Sequence, residues 1–301
     1  MLLNPRGELL MSAYTPVVDD DIVLNDGRKL RYAEWGDRSG RPMFLFHGAP
    51  ASRWFVPDPS VTAAAGVRMV TVDRPGYGGS DPLPGRRILD WPSDVVALAE
   101  ALGLAQFDVA AQSSGGPYAL ACGHELMDRL GQVVLISCIA PQETLHPDGF
   151  DGDDEDLALT RRARDDPLGA AAALAAGIAW LAETPERFLD LPRPQPDALV
   201  LQDQAVRDMF LKTIREAVRQ GVDAYAWDVV LERRSWGFDL SAVAASVTIF
   251  QGDLDQAVTP AEAAVLASEL PNVQLNAYPD AGHGLILAEW AAIMNESGVV
   301  G

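Results

Sequence analysis

The stretch Phe107-Asp-Val-Ala-Ala-Gln-Ser-Ser-Gly-Gly-Pro-Tyr-Ala-Leu-Ala-Cys122 decides how the rest of the sequence is read. It opens on a short apolar run, residues 107–111, of the kind a buried strand needs. The chain then turns through Gln112, Ser113 and Ser114, passes Gly115 and Gly116, and continues from Tyr118 as an Ala/Leu-rich helical pattern. A strand that breaks so abruptly into a helix leaves one side chain standing at the turn, and here that side chain is Ser113. The backbone N–H of Ser114 falls in the first turn of the new helix, where unpaired donors and the positive dipole end favour an anion.

Such a turn is a nucleophile elbow, usually written G-x-S-x-G. Here it reads Ala111-Gln-Ser113-Ser-Gly115, with Ala in the first small position. Strand and helix backbones pass closely at that point, so a small residue is required. Ser113 is preferred to Ser114 because small residues stand two places before and two places after it. Alone, a Ser/Gly turn between a strand and a helix is more often plain structure, so the assignment depends on the rest of the chain.

The 301 residues suffice for one large α/β domain with an insertion, and 48% apolar content is ordinary for a globular protein. A formal net charge of -20 repels phosphate backbones and anionic lipid, which argues against nucleic-acid and membrane-surface partners. The expected partner is a small-molecule substrate, with a monomer and a homodimer both left open. Cys122 and Cys138 fall in apolar segments and read as small core residues, offering neither a disulfide framework nor a metal cluster. The start has no basic region followed by a long apolar stretch, so a cytoplasmic location is expected, with Met1 or Met11 as the true start.

In chain order, residues 22–24, Asn25-Asp-Gly27 and residues 29–35 read as strand, tight turn and strand. Short apolar strands are expected at 43–46, 67–72, 107–111 and 133–138, with a helix over 91–102. This alternation implies a mainly parallel sheet covered by helices on both faces. After Ala140 the strand pattern stops. Residues 148–156 are acidic and read as a solvated loop or helix start; they lack the loop pattern of a calcium site. From 157 to 236 the segments are helical, and strands resume at 247–250 and 273–278 around a helix over 260–270, with a last helix after His283. The expected organisation is a core formed by 1–140 and 237–301, with 141–236 as a helical cap.

A serine hydroxyl needs a base within reach, and the base needs an orienting carboxylate. Of the four histidines, His47 precedes a Gly-Ala-Pro turn, His124 lies on the helix leading away from Ser113, and His146 lies in the expected cap. His283, in Pro279-Asp-Ala-Gly-His-Gly284 just beyond a strand, remains as the base by elimination. The carboxylate should come from Phe250-Gln-Gly-Asp-Leu-Asp255; the spacing Gly252-x-x-Asp255 favours Asp255 over Asp253, with Glu143 a weaker alternative.

The order Ser113, Asp255, His283, together with His47-Gly-Ala-Pro50 and Asp73-Arg-Pro-Gly-Tyr-Gly-Gly-Ser80, closely resembles the α/β-hydrolase family. The resemblance runs from the Asn25 hairpin to the last helix, and includes Ala226-Trp-Asp228 and Arg234-Ser-Trp-Gly-Phe-Asp239 as the end of a cap. It implies that Ala49 and Ser114 supply the two N–H groups of an oxyanion hole, and that no metal or organic cofactor is needed. Haloalkane dehalogenases and epoxide hydrolases of this fold use aspartate at the elbow, and proline iminopeptidases carry His-Gly-Gly-Pro-Gly; this chain has neither. What the resemblance then implies is a carboxylic-ester or lactone hydrolase for a small to medium apolar substrate. Trp180, Tyr225 and Trp227, with Phe188 and Phe210, are the candidate pocket residues of the cap. A C–C bond hydrolase or lyase with the same triad, and a low-turnover ligand receptor on the same fold, are the alternatives.

Overall fold

Strands buried on both faces organise the structure, a computed structural model that describes residues 14–150 and 154–298. Eight strands form one sheet: β1 (Val18–Val23), β2 (Lys29–Gly36), β3 (Arg41–Phe46), β4 (Val67–Val72), β5 (Phe107–Ser113), β6 (Leu130–Cys138), β7 (Val247–Gly252) and β8 (Val273–Tyr278). Their spatial order is β1-β2-β4-β3-β5-β6-β7-β8. The hairpin β1–β2 is antiparallel and β2 runs antiparallel to β4; every later pairing is parallel.

Successive side chains of a strand point to opposite faces, and both faces here are apolar. Phe44, Phe46, Val109, Ala111, Val133 and Leu135 pack into one core with Trp91, Leu98, Tyr118 and Leu120. Their strand neighbours Met43, Leu45, Ala110, Val134 and Ile136 pack into a second core with Phe250, Trp290 and Ile293. Each fully buried side chain of this size contributes roughly 1.5–3 kcal/mol before entropy is counted. The outermost strand β1 carries Asp19, Asp20 and Asp21, charges that discourage pairing with another chain. No helix is long and apolar enough to cross a membrane among the described residues.

Between β6 and β7 the described residues form helices and no strand, from Gln142–Leu145 through Asp223–Glu232. The acidic run is partly a helix start: Asp154 accepts from the N–H groups of Asp156 and Leu157 at 2.8 and 3.2 Å. Residues 151–153 of that run, and Met1 and Met11, lie outside the described residues. The helical segment has small cores of its own, one built on Leu181, Leu189, Ile214, Val218 and Val222.

What ties this segment to the sheet is a buried charge. Asp228, on the helix Asp223–Glu232, meets Arg74 at 2.8 Å and Arg86 at 2.6 Å. It also accepts the hydroxyls of Tyr77 at 2.8 Å and Tyr118 at 2.6 Å. All five side chains are buried. Burial alone would raise the Asp228 carboxyl, but Arg86, Arg74 and the two tyrosine hydroxyls hold it well below the ordinary aspartate value. Arg74 also donates to the carbonyl of His47, in the loop after β3.

Removing one partner of such a cluster leaves opposite charges buried and unpaired. Asp228→Ala should therefore lower the unfolding free energy in urea by about 3–5 kcal/mol; a loss under about 1 kcal/mol would show that the cluster does not hold the helix down. Because the folded-state pKa of Asp228 lies below its ordinary 3.8, its contribution is complete above that pH and is lost as pH falls through the lower folded value.

Candidate active site

At the end of β5 the backbone reverses into the helix Gly116–Glu125 with almost no loop, and Ser113 takes φ 54° to do so. A non-glycine residue in that region carries strain that its surroundings must hold. The surroundings are tight. A Cβ on Gly115 would lie 2.3 Å from the carbonyl oxygen of Phe46, and one on Gly116 would lie 2.7 Å from the Cβ of Cys138. On the other side, a Cβ on Gly48 would lie 2.3 Å from Gln112 Oε1 and 2.9 Å from the Ser113 Cβ. The loop after β3 is thus pressed against the turn, which leaves Ala49 and half-buried Ser113 facing the same two cavities.

Asp255 follows β7 and His283 follows β8, neighbouring parallel strands. Their loops are joined by Asp253 N–H to the Tyr278 carbonyl at 3.1 Å and Leu254 N–H to the Ala281 carbonyl at 2.9 Å. Buried Asp255 accepts from the N–H groups of Ala257 and Val258, each at 2.9 Å, through one oxygen. Its other oxygen meets His283 Nδ1 at 2.9 Å. Burial opposes the charge on Asp255, yet the bonds from His283 and Val258 prevail and its pKa falls below the ordinary value. With Nδ1–H donating to Asp255, the imidazole has the Nε2 lone pair left as an acceptor. That lone pair is met by the Gln112 side-chain nitrogen at 3.0 Å rather than by the Ser113 hydroxyl.

The other carboxylates considered are elsewhere. Asp253 is exposed, and Glu143 is exposed and paired with Arg164. His47 is buried with Nδ1 at the Gly48 carbonyl, and His124 stacks on Phe238.

One cavity, of about 380 Å³, joins Ser113 and His283 to an apolar wall of Phe55, Phe188, Leu191 and Phe210. The second, of about 740 Å³, also reaches Ser113 but is lined by Ser114, Gln142, Tyr225, Glu232 and Arg233 and not by His283. Tyr225, Phe188 and Phe210 are therefore at the serine, but Trp227 and Trp180 are not. Trp227 faces a separate cavity with Pro82 and Arg86, its indole N–H held by the Arg86 carbonyl at 3.0 Å. Trp180 packs within the helical segment, with Arg187 4.9 Å above its ring. Neither ring lines a cavity that reaches Ser113, and Trp180 serves packing, the commoner fate of an aromatic at helical spacing.

Four polar residues at the site had no sequence reading. Gln112 was visible only as the variable position of the elbow. Asp197 accepts the Gly284 N–H at 2.6 Å and so holds the His283 loop from the helical segment. Glu232 stands one helical turn after Asp228, on the face turned toward the elbow, and Gln142 lies just past the end of β6.

The sequence profile described as alpha/beta hydrolase fold matches residues 41–289. A non-heme chloroperoxidase from Streptomyces lividans is 25% identical over 280 residues, 88% of this chain and 93% of that protein. Among solved structures, a hydrolase from Pseudomonas aeruginosa superposes with a TM-score of 0.67 at 18% identity, over 92% of this chain and 96% of its own. An enol-lactonase from Burkholderia xenovorans gives 0.62 at 21% identity, over 92% and 98%. The sheet order, the strained turn after β5 and a profile match across most of the length agree, and the chain belongs to the alpha/beta hydrolase fold family.

Proposed function

We propose that this protein is a serine hydrolase that cleaves a carboxylic ester or lactone through an acyl-enzyme. The observation that carries this reading is the chain of contacts from Asp255 to His283 Nδ1, with Nε2 facing the Ser113 turn. Asp255 fixes the tautomer in which Nε2 can take a proton. Substrate entry displaces the Gln112 amide from Nε2, and the Ser113 hydroxyl takes its place; such bonds are often unformed before substrate binds.

The Ser113 oxygen then attacks the carbonyl carbon as its proton passes to His283. The tetrahedral oxyanion is held by the N–H groups of Ala49 and Ser114. Collapse breaks the carbon–oxygen bond to the alcohol, which leaves with the proton from His283. Water, deprotonated by the same imidazole, attacks the acyl-enzyme, and Ser113 recovers its proton as the acid departs. The helical segment, 141–236, acts as a lid that excludes water and shapes the substrate's surroundings, with Phe188 and Phe210 against its apolar part.

A low-turnover receptor for a small ligand is a second reading, favoured by the hold of Gln112 on His283 Nε2. Steady-state rates on a panel of short p-nitrophenyl esters separate the two, since a hydrolase turns over repeatedly and a receptor stops near one equivalent.

Ser113→Ala should keep the circular-dichroism spectrum and melting curve of the parent and lose at least about a thousandfold of kcat. Loss on Ser114→Ala with activity retained in Ser113→Ala would move the nucleophile one residue along. Asp255→Asn should reduce kcat by orders of magnitude more than Asp253→Asn, because only Asp255 reaches the imidazole. Equal and small effects would take the orienting role away from Asp255.

A further inference from the structure

The two cavities that meet at Ser113 differ in polarity and in whether His283 lines them. The cavity with His283 is walled by Phe55, Phe188, Leu191 and Phe210. The second cavity lacks His283 and contains Gln142, Glu232 and Arg233. Each of these three has a polar atom shut off from solvent with no protein partner: Gln142 Oε1, Glu232 Oε1 and Arg233 Nε. Leaving such atoms unpaired costs roughly 1–3 kcal/mol apiece, so a small turn of these side chains toward a polar ligand group in the cavity recovers bonds that they otherwise lack.

Glu232 is tied into the catalytic surroundings on both sides. The Ser114 hydroxyl lies against its carboxyl, and Asp228 precedes it by one turn on the same helix. Burial and the Asp228 charge push Glu232 up to about 7, against the opposing pull of Arg233 and Ser114. Arg233 is turned partly away, with Nη2 on Asp156 at 2.5 Å, which leaves its Nε over for a second partner.

Direction follows from the proton path. The departing alcohol takes its proton from His283, so it must sit on the His283 side, in the apolar cavity. The acyl chain then extends from Ser113 into the second cavity, which His283 does not line. Resting on the ester-hydrolase reading, we propose that Gln142, Glu232 and Arg233 form an acyl subsite for a polar acyl group bearing a hydroxyl or amide a few atoms from the carbonyl, while the Phe188–Phe210 cavity takes an apolar alcohol. The substrate class is an amphipathic ester or lactone, polar on the acid side and apolar on the alcohol side. A hydroxyl suits two acceptors and one donor, because it can donate to Glu232 or Gln142 and accept from Arg233.

The test compares kcat/KM for hexyl butanoate, hexyl 3-hydroxybutanoate and 2-hydroxyethyl butanoate at pH 8, in the parent protein and in Glu232→Leu, Glu232→Gln and Gln142→Leu. The parent should prefer hexyl 3-hydroxybutanoate to hexyl butanoate by about tenfold. Glu232→Leu should bring the ratio to within about twofold of unity, and Glu232→Gln and Gln142→Leu should lower it part of the way. All substrates are read on one preparation, so a smaller folded fraction lowers every rate and leaves the ratio unchanged; if Glu232→Leu does not fold, the isosteric Glu232→Gln carries the test. A flat ratio in the parent, a preference for 2-hydroxyethyl butanoate, or an unchanged ratio in the Glu232 variants would overturn the subsite while leaving ester hydrolysis in place. No turnover of any ester, with no labelling of Ser113 by a fluorophosphonate, would overturn the hydrolase reading and the subsite together.

Discussion

The charge of Asp228 is buried beneath the helical segment, and the position of both that segment and the loop after β3 depends on it. A lone carboxylate at such depth would be prohibitive; four partners from the loop after β4 and from the helix after β5 make it tolerable. The geometry demanded by those partners fixes the helix Asp223–Glu232 in rotation and height. Arg74 then transmits the constraint by donating to the His47 carbonyl, one residue before Gly48. One ionic cluster thereby sets where Ala49 stands and where Glu232 faces Ser114.

Close backbone approach is the second constraint. Gly48, Gly115 and Gly116 let the loop after β3, the elbow and β6 come together at distances no side chain would permit. Gly252 does the same between the loops after β7 and β8, where an added Cβ would lie 2.4 Å from the Ala281 carbonyl oxygen. The strain at Ser113 is sustained by this packing from several sides, which suits a side chain that must project from the sheet without flexing. The charge on Asp255 is set in the same rigid way, by two backbone N–H groups and the imidazole.

Much of the frame is legible in the sequence because its signals are local. The continuous apolar runs over residues 43–46, 107–111 and 133–138 mark strands buried on both faces, and residues 273–278 form β8 as expected. The adjacency of Asp255 and His283 could be read because each lies just beyond a strand, and the strands are neighbours. What escaped is non-local. The Arg74–Asp228 contact spans 154 residues, and although both residues lie in motifs that carry the family resemblance, neither motif says that the two meet. Trp227 has the spacing of a pocket residue, but its face of the helix is decided by Asp228 next to it, which turns the indole toward Arg86. Glu232 and Asp197 read as ordinary acidic residues on helices. Their significance arises only when the segment is laid over the elbow and the His283 loop.

The central claim is that Ser113 carries the acyl group. Acid-quenching the enzyme during turnover of p-nitrophenyl butanoate and mapping peptides by mass spectrometry tests this most directly. The account predicts a butanoyl adduct on Ser113, formed within one turnover and absent from Ser113→Ala. An adduct on Ser114 or on another residue, or sustained hydrolysis by Ser113→Ala at the parent rate, would contradict it.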